Sequence, residues 1–584
     1  MSGCHSRVRA LALLCCIALS VLTCPTVLAE DPPQPTWSKE GCSSGFSLCA
    51  NVTTKESWAD GGKNIYFLVD VLPDQDGFNN TNVTVWYVGE NYQDTWAYHL
   101  SKIHFNVVRF SPRGSDLAYP QINCRPEYFN EDRNCYPSVS CAEEIARSGL
   151  NLARYSIEET ANDLAWVLET LGSGKQNVVV AEGLGTFIVQ QMLQTKKELV
   201  NVSVIMADFT HPEHFDTFES FNGYDGALQR LLRYCDDAEG FMCATRVGAF
   251  EGMWNRFVNV MTAAKLGTLK CNTRLRWGVK PEEMHREYRA VVAALLKNPQ
   301  HFLLEGQTAL VQLLPSFIYR LQRCNDGDVA ALEFLYGYIT APRRERCPPF
   351  IPQRYNWLVN ELTLVPPMVS PQEFLDEMSL TRLVVPNITA VQPFFDVYNA
   401  YPKYRVPNRS IAKTETKMLL LLSDVDPVFP FVPASLAANA YGADVRILPH
   451  QNSFPVATSA EDCISRNLQS IRTAMKWTEA SQCKLTADYK LDFNLETKKY
   501  YGVVDAWEFT TSNAPEILVN ATSTSTAPSP GEPGHDEKCS KGGTVALAVF
   551  FVLSLVALGG VSYLYWRQSR VPKFSDDFYS NLSR

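Results

Sequence analysis

The sequence predicts an α/β fold built on a mainly parallel sheet, split by an inserted helical cap and followed by one C-terminal transmembrane helix. Three observations predict it. Apolar strand-like runs alternate with helix-patterned stretches at both ends of residues 30–508, the pattern of strands joined by crossover helices. Between them, residues 215–410 are mainly helix-patterned and broken by turns such as Pro348-Pro349 and Pro366-Pro367. Finally, Thr544 to Trp566 carries no charge, and at a rise of about 1.5 Å per residue it spans about 30 Å, the thickness of a hydrocarbon core.

The N-terminus reads as a cleavable signal peptide over residues 1–29. Arg7 and Arg9 precede an apolar run from Ala10 to Leu22, and Val27-Leu28-Ala29 ends it before Glu30 and Asp31. Cleavage there puts the following chain outside the cytosol, so a single span at 544–566 leaves residues 567–584 as a cytoplasmic tail. Tyr563, Tyr565 and Trp566 would lie at the headgroup level, with Arg567, Arg570 and Lys573 on the cytoplasmic side. Apart from the signal region and Cys539, the cysteines form an even set: Cys42, Cys49, Cys124, Cys135, Cys141, Cys235, Cys243, Cys271, Cys324, Cys347, Cys463 and Cys483. In an exported chain disulfides are expected, and Cys42 with Cys49 and Cys235 with Cys243 are the easiest local closures. Cys539 is left free, palmitoylated or linked to a second chain. Sequons at Asn51, Asn79, Asn82, Asn201, Asn387, Asn408 and Asn520 mark expected N-glycan sites on surface loops. Residues 509–543, rich in Ser, Thr and Pro, read as an extended stalk. A net charge of −9 gives no basis for binding nucleic acid, and no cysteine spacing suits zinc.

In chain order, strands are expected at 64–71, 83–88 and 105–110, the last running into Ser111-Pro112-Arg113-Gly114. A helix follows at 157–171, with Leu164, Val167, Leu168 and Leu171 on one face and a stop at Gly172. Residues 177–181 read as a fully buried strand, Glu182-Gly183-Leu184-Gly185 as a turn, 186–193 as a helix and 202–206 as a strand. These elements form the first core segment, residues 30–214. After the cap at 215–410 the alternation returns in the second core segment, 411–508. Its strands are expected at 417–422 and 444–448, and its helix at 462–477.

This order of landmarks resembles the α/β-hydrolases, and within them the prolyl- and tripeptidyl-aminopeptidase-like serine peptidases with a C-terminal module. Phe110-Ser111-Pro112-Arg113-Gly114 is similar to the family's strand followed by D-x-R-G. Tyr155 to Leu164 resembles its helix entering the nucleophile strand, and Val204 to Asp208 with Pro212 the next strand and turn. Leu420 to Pro430, containing Asp426-Pro427-Val428, resembles the stretch that carries the catalytic acid. The family's chemistry needs G-x-S-x-G at a sharp strand-to-helix turn, with the serine beside oxyanion-hole amides. Here Gly183 occupies the serine position. Asp426 occupies the acid position and Ser453 the histidine position, with His450 three residues early as a displaced candidate base. Glu182 beside the missing serine is a poor replacement nucleophile. The resemblance thus implies a degenerate, nucleophile-less member, in which Asp426 is a structural group at a strand end.

In the tail, Tyr579-Ser580-Asn581-Leu582 is similar to the Y-x-x-hydrophobe signals that clathrin adaptors bind by strand addition. The expected partners are therefore the membrane, a clathrin-adaptor-type protein and an extracellular or luminal ligand of peptide or protein class. No cofactor is expected. The sequence reads as a type I membrane glycoprotein at the plasma membrane or endosomal–lysosomal membranes, its head a ligand-binding or receptor-like pseudoenzyme. One alternative is an active serine hydrolase or aminopeptidase with a rearranged site, and the other a structural or adhesive surface antigen.

Overall fold

The computed structural model describes residues 33–42, 48–72, 83–89, 106–125, 129–130, 136–200, 203–207, 210, 223–237, 243, 246, 252–297, 310–341, 351–363, 370–386, 388–404, 416–429, 434–435, 438–439, 441–448, 491, 493, 498–502 and 505–507. The expected signal peptide, stalk, span and tail lie outside these residues, as does the helix expected at 462–477. Among the described residues no helix is long and apolar enough to cross a membrane.

The strands are β1 (Leu48–Ser57), β2 (Gly61–Leu72), β3 (Val83–Val88), β4 (Asn106–Phe110), the short β5 (Ala118–Tyr119), β6 (Phe129–Asn130) and β7 (Tyr136–Pro137), then β8 (Gln176–Glu182), β9 (Ser203–Ala207), β10 (Met418–Ser423) and β11 (Asp444–Leu448). The main sheet runs β1-β2-β4-β3-β8-β9-β10-β11, with β5 beside β2, while β6 and β7 pair separately. β2 is antiparallel to β1 and β4, and every pairing from β4 through to β11 is parallel. β3, β4, β9 and β10 are buried along their whole length, as parallel strands covered on both faces must be. The mainly parallel sheet matches the expectation.

β1 was not expected. Its inward residues Ala50, Val52 and Thr54 are buried, while Asn51 is exposed and Thr53 and Lys55 are partly so. The period of two is present, but its polar outer face hides it among loop-like residues. Asn51, expected on a surface loop, thus lies exposed within a strand. The other six expected glycan sites fall outside the described residues.

Three helices belong to the first core segment: α1 (Val139–Arg147), α2 (Ile157–Leu171) and α3 (Gly185–Lys196). α2 begins where the Ser156 side chain accepts from the Glu159 N–H, and it ends at Gly172, as expected. Its buried Leu164, Val167 and Leu168 share one core with Trp86, Val179, Ile188 and Leu420.

The chain leaves β9 and returns in β10, its parallel neighbour, so the insertion departs from the carboxyl edge of the sheet. It contains α4 (Gly223–Asp237), α5 (Gly252–Lys265), α6 (Met284–Lys297), α7 (Leu314–Arg323), α8 (Asp326–Thr340), α9 (Ile351–Asn360), α10 (Pro371–Thr381) and α11 (Ile388–Ala400). These helices go to two places. Those from α4 to α8 form a cluster with Phe493, Tyr500, Tyr501 and Trp507 from the end of the second core segment. The later ones pack Tyr355, Val359, Leu375, Val391 and Phe395 against Ile65, Cys141, Ile145 and Tyr155 of the first core segment.

Four disulfides tie the described residues: Cys42–Cys49, Cys124–Cys141, Cys235–Cys243 and Cys271–Cys324. The first and third are the local closures expected from spacing. Cys271–Cys324 spans 53 residues, and cross-linking a loop of that length stabilises by about 4 kcal/mol through the unfolded chain.

Candidate functional site

Gly183 stands at the turn between β8 and α3, with φ of 54°. A left-handed residue there reverses the chain from strand to helix at low cost only when it is glycine. The turn is closed by backbone bonds: Gly183 N–H donates to Ala207 O at 3.2 Å, and Thr186 N–H donates to Gly183 O at 3.1 Å. Thr186 Oγ1 donates to the same carbonyl at 2.7 Å. At Gly185 a Cβ would lie 2.1 Å from Val88 O, so the helix meets the neighbouring strand at backbone distance. The sharp elbow expected from the sequence is therefore built, and the residue at its apex carries no side chain. Glu182 points elsewhere: its Oε2 accepts from Tyr87 Oη at 2.8 Å.

Asp426 follows β10, so it shares the carboxyl edge of the sheet with Gly183. Its Oδ1 accepts from the N–H groups of Val428 (2.7 Å) and Phe429 (3.0 Å). That carboxylate folds its own strand end into a turn. Burial pushes the Asp426 carboxyl up to about 7, against the two backbone donors and Arg230, which lower it. His450 and Ser453 lie outside the described residues.

The sign of the resulting pH dependence follows from proton linkage. Between the ordinary carboxylate range and about pH 7, the folded chain holds a proton that the unfolded chain has released. This contribution to stability is therefore present at low pH and lost as the pH rises toward 7. Asp426→Asn is expected to remove it. Urea denaturation should show the variant gaining on the wild type from pH 5 to pH 7, with a slope approaching about 1.4 kcal/mol per pH unit. A difference that does not change with pH would contradict this.

Sequence reasoning missed the groups that meet this edge from the insertion. Arg230 Nε on α4 donates to the Asp424 carbonyl, and Tyr234 Oη donates to Asp424 Oδ2. Burial, then Asp424, raise the Tyr234 pKa. Val425 between the two aspartates belongs to the insertion's own apolar cluster. α4 is thus seated directly on the strand end that carries Asp426. These contacts span about 190 residues of sequence, and nothing in the local pattern announces them. Among the described residues no group of His, Cys, Asp and Glu is placed to hold a metal ion.

The motif arginine is also a structural group. Arg113 is fully buried, and its Nε donates to Asp163 Oδ2 at 2.6 Å. Nη1 donates to the carbonyls of Glu56 (2.9 Å) and Arg154 (2.7 Å). Two of the stretches that carry the resemblance, 110–114 and 155–164, are therefore joined by one ion pair. Two aromatic residues of α8 are engaged in packing: Tyr336 stacks on Trp277, and Tyr338 meets Tyr500 of the second core segment edge-on.

Residues 77–233 match the family model for the alpha/beta hydrolase fold, and the chain has that fold: a mainly parallel sheet, an elbow after β8 and helices packed on it. No curated protein matches the sequence. Similar solved structures include an esterase from Thermogutta terrifontis, at 11% identity over 72% of this chain and 99% of that one, TM-score 0.31. A laboratory-evolved variant of potato epoxide hydrolase is 11% identical over 72% of this chain and 98% of its own, TM-score 0.30. A probable hydrolytic enzyme from Pseudomonas aeruginosa is 9% identical over 74% and 97%, TM-score 0.31.

Proposed function

We propose that this chain is a type I membrane glycoprotein whose α/β-hydrolase-fold head binds a ligand and does not cleave it by serine acyl transfer. The observation that carries this reading is Gly183 at the apex of the elbow. An acyl-enzyme needs a nucleophilic oxygen there, aimed at the substrate beside oxyanion-hole donors, and glycine has none to offer. Binding and oxyanion-hole contacts alone leave about 10³–10⁴-fold over water, far below a working peptidase. Asp426 supports the same reading, since its Oδ1 is already engaged by two backbone donors. The signal peptide, stalk, span at 544–566 and the Tyr579–Leu582 signal support a head held outside the cytosol, cycling between the cell surface and endosomal or lysosomal membranes. Its ligand would then be an extracellular or luminal peptide or protein, with the tail engaging a clathrin adaptor.

A fluorophosphonate probe on the purified, detergent-solubilised protein tests the central point. No stable adduct is expected. An adduct that disappears on a single Ser→Ala change, at Ser453 or anywhere else, would instead establish an active serine hydrolase with a rearranged site.

A further inference from the structure

Arg289 lies on α6 inside the insertion and is only 6% exposed. Its Nε is buried with no hydrogen-bond acceptor, and among the described residues no carboxylate forms an ion pair with it. Asp225, in the first turn of α4, acts on Arg289 through space. Both Asp225 oxygens are already committed, however: Oδ2 accepts from Leu383 N–H at 3.0 Å and Oδ1 from Val384 N–H at 2.7 Å. The remaining charge nearby is positive. Arg286 repels Arg289, and Arg289, Arg286 and Lys265 all act on His285. Arg286 is itself only loosely held, 3.5 Å from Asp376 at the surface. Burial is the largest influence on Arg289 and lowers its pKa, so Asp225 does not compensate for the lost water.

A guanidinium nitrogen buried without an acceptor is unfavourable. Among the described residues the other buried arginines are engaged: Arg109, Arg113 and Arg320 pair with Asp70, Asp163 and Asp328, and Arg256 donates to Gln322. Arg289 is built differently. We propose that Arg289 anchors an oxyanion-binding site in the insertion, between α6 and the first turn of α4, that takes a carboxylate or phosphate group. A guanidinium presents a planar fork of N–H donors that fits either group through two parallel bonds. The amino end of α4, a 15-residue helix, adds its partial positive charge. Asp225 opposes an anion there, and Arg286 offsets it. The site goes beyond the ligand-binding reading above and does not depend on it.

Thermal unfolding of the solubilised full chain tests the site, with inorganic phosphate in one arm and acetate in another, each against chloride at equal ionic strength. The wild type is expected to gain about 2 °C or more in midpoint with the matching anion, saturably. The arm that responds identifies phosphate or carboxylate as the group bound. Arg289→Met should abolish that gain and, in chloride alone, melt no lower than the wild type, because an apolar side chain of similar length replaces an unpaired charge. Arg289→Lys should retain a weaker gain. A wild type that responds to neither anion would overturn the proposal. So would an Arg289→Met variant that keeps the response, or one that melts well below the wild type in chloride.

Discussion

Asp163→Asn is expected to lower the unfolding free energy by about 3–5 kcal/mol, because it leaves a buried guanidinium without its counter-charge. Arg113 and Asp163 are both fully buried. Asp163 Oδ2 accepts from Arg113 Nε, Oδ1 from Arg113 Nη2, and Oδ1 also from Trp58 Nε1 at 2.9 Å. Burial alone would lower the Arg113 pKa, and Asp163, with help from Glu159, more than reverses it. Asparagine keeps the shape of the carboxylate but offers one acceptor and no charge. The nearest remaining help is Glu159, 3.5 Å from Nη1. The converse change, Arg113→Met, should cost a similar amount, since it leaves Asp163 and the carbonyls of Glu56 and Arg154 without their donor. Joint replacement by Met and Leu should cost clearly less than the sum of the singles, the signature of two groups that matter chiefly to each other. Urea denaturation measures all three, and an Asp163→Asn variant within about 1 kcal/mol of the wild type would refute the account.

The second large effect is expected at Asp328, which organises the contacts of residues 505–507. Its buried carboxylate accepts from Arg320 Nη1 (3.1 Å), from Arg323 Nε (2.7 Å) and from the Asn325 N–H (3.1 Å). The arginines so held donate onward: Arg320 Nε to Ala506 O (2.7 Å), Arg320 Nη2 to Asp505 O (2.9 Å) and Arg323 Nη2 to Trp507 O (3.0 Å). Arg320 also lies over the Tyr501 ring, 4.9 Å from its centroid. One carboxylate thus aims two guanidinium groups at three consecutive carbonyls, which are the last described residues of the chain. Asp328→Ala should release them. A loss of about 3–5 kcal/mol at a locally opening segment predicts amide hydrogen exchange at 498–507 faster by roughly two to four orders of magnitude. The sheet strands should exchange as in the wild type. Unchanged protection at 498–507 would show that Trp507, packed against Tyr319, holds the segment without the charges.

Much of the core was legible because each element there satisfies its own local rule. The run at 418–422 is apolar without interruption and that at 83–88 is broken only by Thr84, as suits strands buried on both faces. Ser156 and Gly172 mark the two ends of α2. The elbow was legible too, since its glycines are required by backbone geometry, at Gly183 by φ and at Gly185 by the approach of Val88 O. The insertion was readable as helices but not as two differently docked groups. Gln353 Nε2, Asn356 Nδ2 and Trp357 Nε1 all donate to the Tyr155 carbonyl, at 3.0, 3.2 and 2.9 Å. A carbonyl that collects three side chains from about 200 residues away leaves no trace in composition or periodicity.

By itself, then, the sequence determined the α/β class and the glycine at the apex of the β8–α3 turn, and it offered the two shortest disulfides as the easiest closures while leaving the pairing open, because each depends on residues close together in the chain. The tertiary structure alone decided that Arg113 is paired with Asp163, that α4 sits on Asp424, that residues 505–507 are held by the insertion and that Arg289 is buried without a partner. Each of these depends on burial and on partners distant in sequence, and the energy of a charge is set by what surrounds it after folding.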